Sequence, residues 1–161
     1  MSPLVPEPEG DPVVVRVAPV PIAVVREQVA LEALPDFFDR TYGVVAHALE
    51  GQEIGRVGPA VAVYRGEAGA TVDVAVGYPV QRPVAPTHGV VAEQLPGGLV
   101  ARTIHVGPYD RLAQTYHELQ SWIAAQGLVA ADVMWESYLT EPTPEADPAR
   151  MLTEVTWLLM D

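Results

Sequence analysis

Residues 99–140 read LVARTIHVGPYDRLAQTYHELQSWIAAQGLVAADVMWESYLT. A β-branched, apolar run at Val100–Val106 gives way to apolar residues three and four apart: Tyr109, Leu112, Ala113, Tyr116, Leu119 and Ile123. The first pattern predicts a strand, the second one face of a helix over about 109–126. Gly107-Pro108-Tyr109-Asp110 opens that helix and Gly127 follows it. Glycine ends a helix in the left-handed conformation at no steric cost. Strand chemistry then returns at Val133–Leu139 and again at Leu152–Met160.

The earlier part of the chain repeats this plan. The apolar stretch Pro21–Val29 precedes a helix at about 35–50, entered through Pro35, a residue favoured in the first turn. Its apolar face is Phe37, Phe38, Thr41, Val45, Ala48 and Leu49, and Gly51 follows. Ala60–Tyr64 and Val72–Val76 are then predicted as strands joined by a glycine-containing hairpin loop. Val13–Val17 and Ile22–Val29, broken by Pro19 and Pro21, read as one kinked strand. Val90–Leu95 and Leu99–Val106, around Pro96-Gly97-Gly98, read as a hairpin that opens the second copy. The expected fold is α+β: two strand-helix-strand-strand modules, about 13–80 and 90–160, within one domain at 13–161. Residues 1–12 form a flexible Pro-rich tail ahead of it. Such a duplication predicts pseudo-two-fold symmetry, a mostly antiparallel sheet with two helices, and a central groove suited to a ligand.

Composition narrows the function. Apolar residues make up 49% of 161, enough for a core. No apolar run reaches the roughly 18 residues of a membrane span. The first twelve residues lack the basic start and apolar stretch of a signal peptide, so a cytoplasmic protein without a membrane partner is expected. There is no cysteine, which excludes disulfides, thiolate metal sites and cysteine nucleophiles. The net charge of −12 repels phosphate backbones, so no direct nucleic-acid contact is expected. The same field raises the local concentration of cations, although a solvated acidic surface is the plainer account of it. His47, His88, His105 and His117 are scattered without metal-ligand spacing and read as structural; no phosphate loop, dinucleotide motif or nucleophile elbow occurs. No cofactor and no metal are expected. The acids of the Pro-rich link Thr140–Arg150 do not have calcium-loop spacing and read as a solvated loop.

The candidate site centres on Glu136. Alternation along Val133–Leu139 puts Met134, Glu136 and Tyr138 on one strand face. A carboxylate between a thioether and a phenol is unusual for a solvent-facing strand. It would anchor a bulky cation through charge and cation–π contact. The aligned position in the first copy falls near Val61 or Ala62, so the acid is not part of the shared scaffold. Trp135 and Trp157 sit on strands expected to pair, and six tyrosines need partners for their hydroxyls.

The ordered set Gly107-Pro108-Tyr109, Trp122-Ile123, Gly127, Trp135–Pro142 and Leu152–Val155, with Ala62-Val63-Tyr64 and Val72–Val80 in the first copy, resembles the GyrI-like small-molecule-binding family. That family includes gyrase-inhibitor-like proteins and the effector-binding domains of AraC-type and MerR-type multidrug regulators. The resemblance spans about residues 13–160. It implies a groove for hydrophobic, often cationic, molecules with an acid in the second copy's strand, a position that Glu136 matches. Tyr109 matches the family's Gly-x-Tyr tyrosine. The expected ligand-binding set is therefore Glu136, Tyr138, Met134, Tyr109, Trp157, Tyr78 and Phe37. The leading expectation is a stand-alone protein that binds or sequesters hydrophobic or cationic drug-like compounds. An alternative implied by the resemblance is a small hydrolase of strained cyclopropane-bearing toxins, with Glu136 activating water and Tyr109 assisting. Another is an acidic protein-interaction module acting on gyrase. No helix-turn-helix precedes the domain, so a separate regulator is a further expected partner.

Overall fold

A computed structural model of the chain describes residues 10–66, 69–140 and 145–160. Most of the expected tail (1–9), two residues of the first hairpin loop (67–68) and the front of the acidic loop (141–144) lie outside the described residues. The fold is α+β. Its strands are β1 (Val13–Val17), β2 (Val20–Ala30), β3 (Val61–Arg65), β4 (Thr71–Pro79), β5 (Val91–Leu95), β6 (Gly98–Val106), β7 (Ala130–Tyr138) and β8 (Leu152–Leu159). The helices are α1 (Leu34–Gly51) and α2 (Leu112–Ala125).

The chain forms two compact units. One is Pro19–Pro96; the other joins the residues up to Ala18 to those from Gly97 onward. In the first, β2 pairs with β5 and β4, and β4 with β3, all antiparallel. In the second, β6 pairs with β1 and β8, and β8 with β7, again antiparallel. The strand orders β5-β2-β4-β3 and β1-β6-β8-β7 are the same plan twice.

The pairing corrects two readings of the sequence. Val13–Val17 does not continue into the next strand: it pairs with Gly98–Arg102 of the other half of the chain. Val91–Leu95 does not fold back on β6 but pairs with Val20–Val24. Each repeat thus lends its leading strand to the other repeat's sheet. Local alternation fixes which face a strand buries, but it carries no information about which edge the strand joins.

In the Pro19–Pro96 unit α1 buries Phe37, Thr41, Val45, Ala48 and Leu49. Val45, Ala48 and Leu49 pack with Ala23, Ile54, Val80, Val84 and Val90. Each Val, Leu or Ile among them taken from water contributes roughly 1.5–3 kcal/mol. A side chain at Gly77 would collide with the backbone of Ala23 and Val24, so the close approach of β4 to β2 requires glycine there. In the other unit α2 buries Leu112, Leu119 and Ile123, whereas Ala113, expected on the inner face, is exposed.

The helix ends differ from expectation in one respect. Gly127 has φ 74 and closes α2 as predicted, with Leu128 N–H donating to Ile123 O at 3.1 Å. At α1, Gly51 is instead the last helical residue, and Glu53 (φ 56) takes the left-handed position. Ile54 N–H then donates to Leu49 O at 2.9 Å, and both side chains are buried. This Schellman closure is held by apolar burial on either side of the turn, which offsets the steric cost of a non-glycine there.

Candidate functional site

In the unit containing β6, β7 and β8, residues facing one another across antiparallel strands share a face. Glu136 lies opposite Val155, Tyr138 opposite Thr153, and Met134 opposite Trp157. Thr153 in turn lies opposite His105, and Val155 opposite Thr103. Helix α2 covers this face: Thr115 bonds to His105, and the Tyr116 ring meets Trp157 edge-on at 6.5 Å. Trp157 also donates from its indole to Ala131 O at 2.9 Å. Trp135 points to the opposite face and is buried there.

Glu136 is 2% exposed. Its Oε1 accepts a hydrogen bond from the Tyr138 hydroxyl at 2.5 Å. Its Oε2 is buried without a partner, as is the Thr153 hydroxyl on the neighbouring strand. Burial pushes the Glu136 carboxyl up to about 7, against the lowering effect of the Tyr138 bond. The Tyr109 ring stands edge-on to Tyr138 at 5.6 Å and is 39% exposed, on the solvent side of the pair. Its phenol is pushed up by burial and then by the Glu136 charge.

Tyr109 does not begin a regular helix, as its spacing predicted. It opens a 3-10 turn, Tyr109–Arg111, and α2 starts at Leu112. Gly107 (φ 125) and the extended Pro108 set the chain direction there. His105, read from the sequence as a scattered structural histidine, is buried beside this turn.

The chain matches the GyrI-like small molecule binding domain family over residues 10–159. It belongs to that family. Among solved structures, this GyrI-like domain is similar to the EcmrR C-terminal domain, with TM-score 0.80, 17% identity, and 93% of this chain and 97% of that one covered. In the EcmrR–DNA complex the same likeness spans 57% of the EcmrR chain (TM-score 0.79, 18% identity, 92% of this chain). It is similar to a hydrolase from Listeria innocua (TM-score 0.67, 15% identity, 96% and 94% covered). It is also similar to SAV2435 bound to tetraphenylphosphonium (TM-score 0.68, 13% identity, 93% and 94% covered). At these identities the likeness establishes the fold. Among curated proteins no sequence matches significantly.

Five of the seven residues expected to meet ligand in the GyrI-like domain therefore lie in one unit: Glu136, Tyr138, Met134, Tyr109 and Trp157. Tyr78 and Phe37 lie in the other. Phe37 is 1% exposed and serves as core. Tyr78 is half-buried, edge-on to Tyr42 at 5.7 Å, with the Arg56 guanidinium 4.6 Å from its ring centre. Among the described residues no group of three or more His, Asp or Glu side chains is placed to hold a metal, and no helix is long and apolar enough to cross a membrane. Thr153 and His105 lie on the same face but were not among the residues expected from the sequence. The signal for both is alternation, since they fall on the inward set with Thr103 and Val155.

Proposed function

We propose that this GyrI-like small-molecule-binding domain takes up lipophilic organic cations against the Glu136 face, in order to sense or sequester them. The observation that carries this reading is a buried carboxyl with one oxygen unpartnered. A buried carboxylate without a counter-ion is costly, and a soft cation that needs little hydration supplies the missing charge. Tyr109, Tyr138 and Trp157 offer aromatic faces and edges to the same ligand. The similarity to SAV2435 in its tetraphenylphosphonium-bound form is in keeping with that ligand class.

Tetraphenylphosphonium titrated against tryptophan fluorescence tests it. Glu136→Gln keeps the shape and removes the charge, and is expected to weaken binding by about 1–3 kcal/mol, roughly 5- to 150-fold. Equal affinity in the two proteins would sink the reading. Because the carboxyl titrates near 7, affinity for the cation is expected to rise about tenfold per pH unit below that value and to level off above it.

A second reading, hydrolysis, is favoured by the same elevated carboxyl, since a general base works best near ambient pH. Glu136 would take a proton from water as the water oxygen bonds to a strained cyclopropane carbon; the ring C–C bond breaks and its electron pair passes into the conjugated acceptor of the substrate, which the Tyr109 phenol would polarise. Turnover of a cyclopropane-bearing alkylator that vanishes in Glu136→Ala supports it. Identical rates with and without protein end it.

A further inference from the structure

His105 makes two bonds that join three elements. Its Nε2 lies 2.9 Å from Pro108 O and its Nδ1 lies 2.6 Å from Thr115 Oγ1. A carbonyl can only accept, so Nε2 carries the proton and donates to Pro108. In the neutral ring Nδ1 is then the acceptor and the Thr115 hydroxyl donates to it. The imidazole therefore ties strand β6 to the Gly107–Pro108 turn and to the first turns of α2. The ring is 6% exposed, so water competes poorly for either bond.

The next residue after Pro108 is Tyr109, whose ring edge packs on Tyr138, which in turn holds Glu136 Oε1. No side chain caps the 3-10 turn that carries Tyr109. The backbone also holds the two residues ahead of it: Gly107 N–H donates to Met151 O at 2.9 Å, and Pro108 O accepts from Arg111 N–H at 3.3 Å. The 2.9 Å bond from His105 is the side-chain hold on the Pro108 carbonyl, shorter than the backbone bond from Arg111, and it ties the start of the turn to strand β6. We infer that His105 is a positioning residue for the ligand site: by fixing Pro108 it holds Tyr109 as the cover over the Tyr138–Glu136 pair. The inference rests on the reading that this face is the binding site, and it predicts effects that can be seen without any ligand.

The test follows the Glu136 carboxyl by carbon-13 NMR across pH 4–9 in the ligand-free protein. Removing a cover hydrates the carboxylate and favours its charged form, so the midpoint falls. Tyr109→Ala is expected to lower it by about one unit or more. His105→Leu is expected to do the same, and His105→Leu with Tyr109→Ala to go no further than Tyr109→Ala alone. His105→Gln, whose amide can donate to Pro108 and accept from Thr115, is expected to keep the wild-type midpoint. Should His105→Leu fail to fold, Thr115→Val removes one of the two bonds while leaving the imidazole in place, and is expected to shift the midpoint in the same direction. An unchanged midpoint in His105→Leu (or, if that fails to fold, in Thr115→Val) overturns the inference. So does a fall of equal size in His105→Gln, which would make the ring mere filling, and so does an unchanged midpoint in Tyr109→Ala. Tetraphenylphosphonium binding by Glu136→Gln is measured in parallel, so loss of the cation reading is distinguished from loss of the His105 role.

Discussion

The two units share a strand order but treat charge in opposite ways. In the Pro19–Pro96 unit Arg26 sits between two carboxylates. It donates to Glu93 through Nε at 2.9 Å and Nη2 at 2.5 Å, and to Asp73 through Nη1 at 2.5 Å. The guanidinium is pushed up by the Glu93 bond against the lowering effect of burial. The cation there is built in. In the other unit Glu136 has a phenol on one oxygen and nothing on the other. Both units also carry an edge-on tyrosine pair, Tyr42–Tyr78 and Tyr109–Tyr138, at 5.7 and 5.6 Å. Tyr42 donates to a backbone carbonyl of β3, while Tyr138 donates to the carboxyl. The same scaffold therefore gives one unit a closed ion cluster and the other an unfilled charge. A satisfied cluster adds rigidity, whereas an unsatisfied group leaves its desolvation cost uncompensated.

The comparison can be sharpened by stability measurements. The largest expected effect is at Glu136. Its folded-state value, about 7, lies above the ordinary 4.5, so its contribution is fully present below pH 4.5 and is lost as pH rises through 7. The loss amounts to about 3 kcal/mol. Glu136→Gln is therefore expected to gain about that much stability relative to wild type between pH 4 and pH 8, read from urea midpoints at each pH. A constant difference across that range would show that the carboxyl is not desolvated in the folded protein. In the other unit Arg26→Ala strands two partly buried carboxylates and is expected to cost about 2 kcal/mol, less than for a fully buried cluster. Its effect on tetraphenylphosphonium affinity is expected to be small. A large loss of affinity would break the division of labour between the units. The smallest effect is expected from Tyr138→Phe. It removes the bond that favours the charged carboxylate, so cation affinity at pH 7 should fall by about 1 kcal/mol, roughly fivefold. The Glu136 midpoint should rise at the same time.

Much of this arrangement was legible in residue order. Both helices, with most of their inner residues, followed from spacings of three and four. The face shared by Met134, Glu136 and Tyr138 followed from alternation, and it is the face that α2 covers. Alternation also separates Trp157 from Trp135, though choosing between them required knowing where the helix lies. The ownership of β1 and β5 was not legible, because an amphipathic strand fits either of two similar edges. Nor was the role of His105, whose partners at Pro108 and Thr115 lie three and ten residues away in no recognisable motif.

The sequence by itself determined the duplicated α+β plan, the family and the strand face on which Glu136 sits between Met134 and Tyr138, because these depend on side-chain period and residue type along the chain. The tertiary structure alone decided that this acid is buried and half-partnered, that its carboxyl is held near 7, and that a histidine bonds to the turn beside it. Those properties are set by desolvation and by which groups meet across strands, and neither is encoded at any single position.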